Sequence, residues 1–297
     1  MLKYKIKVFA TVLMLFHTAS SFQAFSQLNM PSSRYFFNPY LANPSYAGLE
    51  QAIKINAGYQ GNLNKIDNAP TNQYITTDID INNKAGAGLT VNHVRVGLFS
   101  NTQISASYAY HLPLTSENQK LNFGLSLGLN ANRISNNYTG ESNDPLVEGD
   151  YYNNTSPDAD FGISYTSETF NIQAAAYRLI SSLRDDMHYN IGNNNAYYLN
   201  ASYKIGKQDY IFIPQIGYNS LRNMDNIFDI GTEINVFDKQ FRLLGMYHSN
   251  SSFTWGAGFN SRSNLNVLMV YSTPPKNFRS QANQVFELAL QYSFRKK

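Results

Sequence analysis

Residues 121–131 read LNFGLSLGLNA, and their period decides the fold. Leu121, Phe123, Leu125, Leu127, Leu129 and Ala131 fall on one face of an extended chain. Asn122, Gly124, Ser126, Gly128 and Asn130 fall on the other. Side chains alternate across a strand with a period of two, so this segment is apolar on one side and small and polar on the other. A soluble sandwich also alternates. Repetition at this length, with small polar residues always opposite the apolar ones, points instead to a strand with lipid on one side and a wet lumen on the other.

The same period recurs along the chain. It predicts strands at 52–60, 72–81, 85–95, 103–111, 120–133, 160–166, 170–178, 196–205, 209–218, 226–237, 241–249, 253–260, 264–272 and 284–294. Two of them stand out. Residues 209–218 contain Pro214, which lacks an amide donor and suggests a bulge. Residues 265–272, LNVLMVYS, are apolar on both faces. After even-numbered strands the connections are mostly tight: 82–84, 112–119, 167–169, 206–208, 238–240 and 261–263. After odd-numbered strands they are mostly long: 61–71, 96–102, 134–159, 179–195, 219–225, 250–252 and 273–283. Short turns on one side and long loops on the other belong to outer-membrane barrels, and an even strand number puts both termini on the periplasmic side. The expected fold is all-β: a transmembrane antiparallel up-and-down β-barrel of about fourteen strands, preceded by a short non-strand segment.

Aromatic residues fit two interfacial girdles. Tyr108, Tyr110, Tyr165, Phe170, Tyr203, Phe237, Phe241, Phe259, Tyr292 and Phe294 fall at the short-turn ends. Tyr59, Tyr74, Tyr177, Tyr197, Tyr218, Phe228, Tyr247, Phe253, Trp255 and Tyr271 fall at the long-loop ends. Amphipathic rings prefer the headgroup level. With 22 Tyr and 19 Phe but a mean hydropathy of −0.37, the chain is apolar on alternate residues only. By parity Lys54, Asp78, Asp80, Asp229, Glu233 and Glu287 face the lumen, where charge is tolerated.

The first 26 residues have the layout of a secretory signal peptide. Lys3, Lys5 and Lys7 precede the apolar run Val8 to Phe16, and Ala24 and Ser26 place small residues before a cleavage point. Those three lysines account for the whole formal charge of +3, so the mature chain is neutral and carries no nucleic-acid signal. There are no cysteines, hence no disulfide framework and no thiolate chemistry.

No catalytic spacing is evident. His93, His111, His188 and His248 are scattered over separate strands and loops, and HExxH and Walker patterns do not occur. Gly86 and Gly88 read as small residues that let something pack closely against the inner side of a strand. The loop carrying Glu141, Asp144, Glu148, Asp150, Asp158 and Asp160 is dense enough in oxygen ligands for Ca²⁺, but matches no EF-hand and reads as a solvated surface loop. No enzyme activity, cofactor or metal is expected.

Residues 35–48, YFFNPYLANPSYAG, set two Asn-Pro pairs five positions apart. Proline fixes φ and moves the preceding residue out of the helical region, so the stretch is neither helix nor ordinary strand. It is also too apolar for a disordered tail. Its Asn side chains can close local turns. With the pattern FNPxLxNPxYAG (Phe37, Asn38, Pro39, Leu41, Asn43, Pro44, Tyr46, Ala47, Gly48) it resembles the start of PorP/SprF-family proteins, outer-membrane proteins tied to the type IX secretion system of Bacteroidota. The last strand, with Phe286, Leu288, Leu290, Tyr292 and Phe294 alternating with polar or small residues, resembles an outer-membrane assembly signal carried by Tyr292 and Phe294. Arg295, Lys296 and Lys297 follow it as a basic tail.

The resemblance implies a non-enzymatic outer-membrane component that supports secretion or surface attachment of a partner adhesin, contacts the periplasmic ring of the apparatus, or both; some members serve gliding motility. The expected layout is a signal peptide (1–26), an Asn-Pro segment acting as plug or docking element (27–51), a barrel (52–294) and the tail (295–297). Localisation is the outer membrane with both termini periplasmic. The competing expectation is a plugged uptake channel for apolar solutes, of fatty-acid-transporter type.

Overall fold

The computed structural model describes residues 36–62, 69–114, 118–134, 153–182, 195–206, 210–221, 225–274 and 284–295. The leader, His188 and the loop carboxylates Glu141, Asp144, Glu148 and Asp150 lie outside the described residues. The strands are β1 (Ala52–Asn62), β2 (Thr71–Asp80), β3 (Ala85–Val96), β4 (Phe99–Pro113), β5 (Lys120–Ile134), β6 (Asn153–Thr166), β7 (Phe170–Ala176), β8 (Asn195–Tyr203), β9 (Tyr210–Leu221), β10 (Ile227–Val236), β11 (Phe241–His248), β12 (Phe253–Asn260), β13 (Leu265–Ser272) and β14 (Val285–Arg295). Each pairs antiparallel with its sequence neighbours, and β1 pairs with β14 from Ala52↔Arg295 to Asn62↔Val285, which closes the barrel. Closure leaves no strand edge and pairs the backbone polar groups between strands, the condition for a sheet to cross lipid. No described helix is long and apolar enough to cross a membrane.

Alternation sets which face meets which medium. In β5 the side chains of Leu125, Leu127 and Leu129 are exposed on the outer wall, while Asn122, Ser126 and Asn130 are buried inside. The predicted inward charges Asp78, Asp80, Asp229, Glu233 and Glu287 are all buried. The short-turn girdle is outward: Phe241 stacks between Phe237 and Phe259, and Tyr292 meets Phe294 at 4.5 Å. At the long-loop end Trp255 sits 4.5 Å from Tyr271, and Tyr218 4.8 Å from Phe228.

Four expectations need correction. Tyr74 and Tyr177 do not join the girdle; both are buried in the lumen. Tyr74 shares parity with Asp78, so its phenol had to turn inward with that carboxylate. The predicted connection 96–102 is only 97–98, because β3 and β4 run on into a two-residue hairpin at Gly97, whose φ is +61°. Asp158 and Asp160 belong to β6 rather than to a loop. Pro214 produces no bulge: the β9–β10 ladder passes through Thr232↔Pro214 unshifted, and the missing donor instead coincides with a break after Ser202↔Gln215, beyond which Ile205 pairs with Phe212 in the same register.

Candidate functional site

Residues 36–49 lie inside the barrel. They contain a tandem unit, Asn38-Pro-Tyr-Leu-Ala42 followed by Asn43-Pro-Ser-Tyr-Ala47, and each copy folds as one 3-10 turn. The main-chain bonds repeat: Leu41 N–H to Asn38 O and Ala42 N–H to Pro39 O, then Tyr46 N–H to Asn43 O and Ala47 N–H to Pro44 O, all between 3.0 and 3.1 Å. Proline at the first turn position loses nothing, since that amide would have no partner, and its fixed φ preorganises the turn.

The two asparagines then diverge. Asn43 caps its own turn by accepting from Ser45 N–H at 2.9 Å, as a local Asx turn should. Its Nδ2 also donates to Ile163 O and Ala174 O, at 3.2 and 3.1 Å, and so bridges β6 and β7. Asn38 makes no side-chain cap, contrary to the expectation for both residues. Its Nδ2 donates to Thr76 Oγ1 at 2.9 Å instead. That hydroxyl is the end of an amide ladder running over the closing seam of the barrel. Asn266 donates to Gln291 (2.9 Å), Gln291 to Asn56 (2.8 Å) and Asn56 to Thr76 (3.2 Å).

The remaining polar groups of the segment reach the wall from β2 to β7. Gly48 N–H donates to Asp78 (3.1 Å), Tyr40 to Ser107 (2.8 Å), Ser45 to Ser164 (2.8 Å) and Tyr46 to Asn171 (2.5 Å). The ring of His111 bridges Ala47 O at 3.0 Å and Asn122 Oδ1 at 2.9 Å. Burial pushes the Tyr40 and Tyr46 phenols above their ordinary value, so both stay neutral and can donate. Tyr177 donates to Ala42 O.

Space for this approach comes from glycines. A Cβ at Gly86 would lie 2.0 Å from Ala47 O, one at Gly124 2.2 Å from Pro44 C, and one at Gly162 1.9 Å from Asn43 Oδ1. The expectation that Gly86 and Gly88 serve close packing on the inner side of β3 therefore has its partners: Ala47 O at Gly86 and the Tyr40 phenol at Gly88.

Across the lumen the segment meets an apolar patch. Phe36 and Phe37 pack with Leu244, Met246, Leu268, Val270 and Ala289 from β11, β13 and β14. This explains the two-faced apolarity of 265–272: Leu265 and Met269 face out, while Leu268 and Val270 face the phenylalanines. Arg242 anchors the same end, donating to Phe36 O and stacking over the Phe37 ring at 5.7 Å to its centroid. Of the motif residues named from sequence, Phe37, Asn38, Asn43, Pro44, Tyr46, Ala47 and Gly48 are buried and Pro39 is half-buried.

Two further inner clusters gather residues far apart in sequence. Asp158 accepts from Ile180 N–H, Ser181 N–H and Ser181 Oγ, and so caps α1 (Leu179–Ser182), a single turn tucked inside the wall. Asp229 holds His248 Nδ1 at 2.6 Å, and His248 Nε2 meets Thr254 Oγ1 at 2.8 Å. The order carboxylate, imidazole, hydroxyl is that of a nucleophile relay. Here the hydroxyl is 1 % exposed and already bonded to Ser272 Oγ at 2.8 Å, so the cluster ties β10 to β13. Among the described residues no group of three or more His, Cys, Asp or Glu could hold a metal ion.

A closed fourteen-stranded barrel, apolar outside, with its own N-terminal segment folded into the lumen, is a membrane barrel of outer-membrane type. Residues 24–292 match the family described as type IX secretion system membrane protein PorP/SprF, and the chain belongs to that family. No curated protein matches. Among solved structures, a deltaS2S3 mutant of the monoaromatic hydrocarbon channel TodX is 9% identical with a TM-score of 0.52, covering 92% of this chain and 96% of that one. Omp33 of Acinetobacter baumannii is 8% identical with a TM-score of 0.49, covering 82% of this chain and 99% of that one. At these identities the likeness concerns the fold alone.

Proposed function

We propose that this protein is a non-enzymatic accessory component of the type IX secretion system in the outer membrane, with both termini periplasmic and its lumen plugged by residues 36–49. It supports secretion or surface attachment of a partner adhesin, contacts the periplasmic ring through its short-turn end, or does both. The observation that carries this reading is the fate of the Asn-Pro motif. Asn38, Asn43, Ser45 and Ala47 are at most 2 % exposed and bonded to the barrel wall, so in this arrangement they are spent on sealing the lumen. Docking then falls to the loops and turns around the barrel. Phe36 and Phe37 occupy the apolar inner patch that an uptake channel for apolar solutes would offer its cargo.

Two measurements test it. Detergent pull-down with mass spectrometry should recover a surface adhesin or a ring component of the apparatus; recovery of neither contradicts the assignment. The double substitution Asn38→Ala, Asn43→Ala should impair adhesin secretion or display while a heat-modifiable gel shift still reports a folded barrel. Normal secretion by that variant would reduce the motif to a spacer.

A further inference from the structure

Of the charged side chains described on the strands, two face outward, and both are arginines, Arg95 on β3 and Arg133 on β5. Every other described strand charge has inward parity. The two arginines fall in one cross-strand row, because Arg95 pairs with Ser100 and Ser100 with Arg133. Two strand spacings put their Cα atoms about 10 Å apart, within the joint reach of two guanidinium groups.

The rows beneath show what surrounds them. One step towards the short-turn end come Gln73, His93 and Thr102, with His93 Nδ1 at 2.8 Å from Thr102 Oγ1. One step further come Ile75, Val91, Ile104 and Leu129, exposed at 57, 42, 55 and 53 %. The outer wall therefore changes within two rows from acyl-chain surface to hydrogen-bonding side chains to cations. Tyr59, a girdle residue, pairs with Gln73 and places that polar row at the headgroup level. On β9 to β13 the same level is held by Tyr218, Phe228, Trp255 and Tyr271; on the described part of β3 to β5 no outward ring stands there. A cation on the lipid face is costly at mid-membrane and tolerated only near the interface. Two of them in one row, with a hydroxyl between them, match the fork geometry that guanidinium groups offer to phosphate oxygens.

We propose that Arg95, Ser100 and Arg133 form a binding site on the outer wall for a phosphorylated lipid headgroup, with acyl chains lying along Ile75, Val91, Ile104 and Leu129. The lipid is a phosphorylated glycolipid of the outer leaflet, a choice of leaflet that rests on the orientation proposed above.

The test uses the full chain purified in detergent and native mass spectrometry with four probes: lipid A, lipid A stripped of its phosphates, phosphatidylglycerol and inorganic phosphate. The wild type should retain lipid A and lose it on dephosphorylation. The double variant Arg95→Gln, Arg133→Gln, its fold checked by gel shift, should retain it about tenfold less well. Equal retention by the variant, or equal retention of the dephosphorylated lipid, overturns the site. The dephosphorylated probe needs only wild-type protein, so it decides even if the variant does not assemble. Preference for phosphatidylglycerol overturns the leaflet and with it the orientation. Inorganic phosphate bound as well as lipid A overturns the lipid. Adhesin pull-down can fail without touching any of these outcomes.

Discussion

From β2 to β7 the lumen wall holds the inner segment with hydrogen bonds and missing side chains; from β11 to β14 it holds the same segment mainly with apolar contact, with Arg242 as the one polar anchor described there. The first half offers Thr76, Asp78, Ser107, Ser164 and the glycines 86, 124 and 162. The second offers Leu244, Met246, Leu268 and Val270. The difference separates two jobs. Apolar burial is non-directional and supplies adhesion. Buried hydrogen bonds tolerate no slip, since a shifted asparagine would leave several groups without partners, so they fix which residue sits where. One wall supplies affinity and the other register.

The comparison can be broken from either side, with a Ser45→Cys reporter in this cysteine-free chain measuring how often the segment leaves the lumen by its rate of thiol labelling. The largest effect is expected on the apolar side. Phe36→Ala with Phe37→Ala removes both rings, and one such truncation in a packed site costs about 3–5 kcal/mol, so labelling should rise steeply. Next comes Gly124→Val. Its Cβ would meet the backbone of Pro44 and Ser45, which cannot yield as a side-chain tip can, and overpacking of this kind costs about 1–3 kcal/mol. The asparagines follow, and they differ. Asn43→Ala loses a cap and two bonds to strand carbonyls, about 2 kcal/mol. Asn38→Ala loses one bond to a hydroxyl that keeps Asn56 as a partner, about 1 kcal/mol. Equal labelling of the two asparagine variants would contradict their unequal anchoring, and more labelling by either of them than by the phenylalanine pair would contradict the division between register and adhesion.

Much of this was legible in the sequence. Strict alternation over 121–131 predicts strand, face and medium together, because a period of two leaves little freedom once one face is apolar. Connection lengths then gave the topology. The two-faced apolarity of 265–272 was visible without its partner, and Tyr74 was placed in the girdle although its parity with Asp78 turned it inward. What could not be read is register across the sheet. The meeting of Asp229, His248 and Thr254, or of Asn266, Gln291, Asn56 and Thr76, depends on which rows align, and each strand alone is silent on that. Asn38 and Asn43 occupy equivalent positions in a tandem unit, so their separate partners follow from the wall and not from the motif. The start of β4 was missed because Ser100, Asn101 and Thr102 read as loop, and a two-residue hairpin at Gly97 needs only one residue of positive φ.

The central claim is that residues 36–49 reside in the lumen of the assembled barrel. Ser45 Oγ lies 2.8 Å from Ser164 Oγ, and both side chains are close in size to cysteine. With no other cysteine in the chain, the pair Ser45→Cys, Ser164→Cys can form only one intramolecular bridge. Oxidation of the outer-membrane protein, followed by mass spectrometry of its proteolytic peptides, should find the peptide containing residue 45 joined to that containing residue 164 in most of the protein. Two free thiols, both labelled by a water-soluble maleimide and never joined, would contradict it.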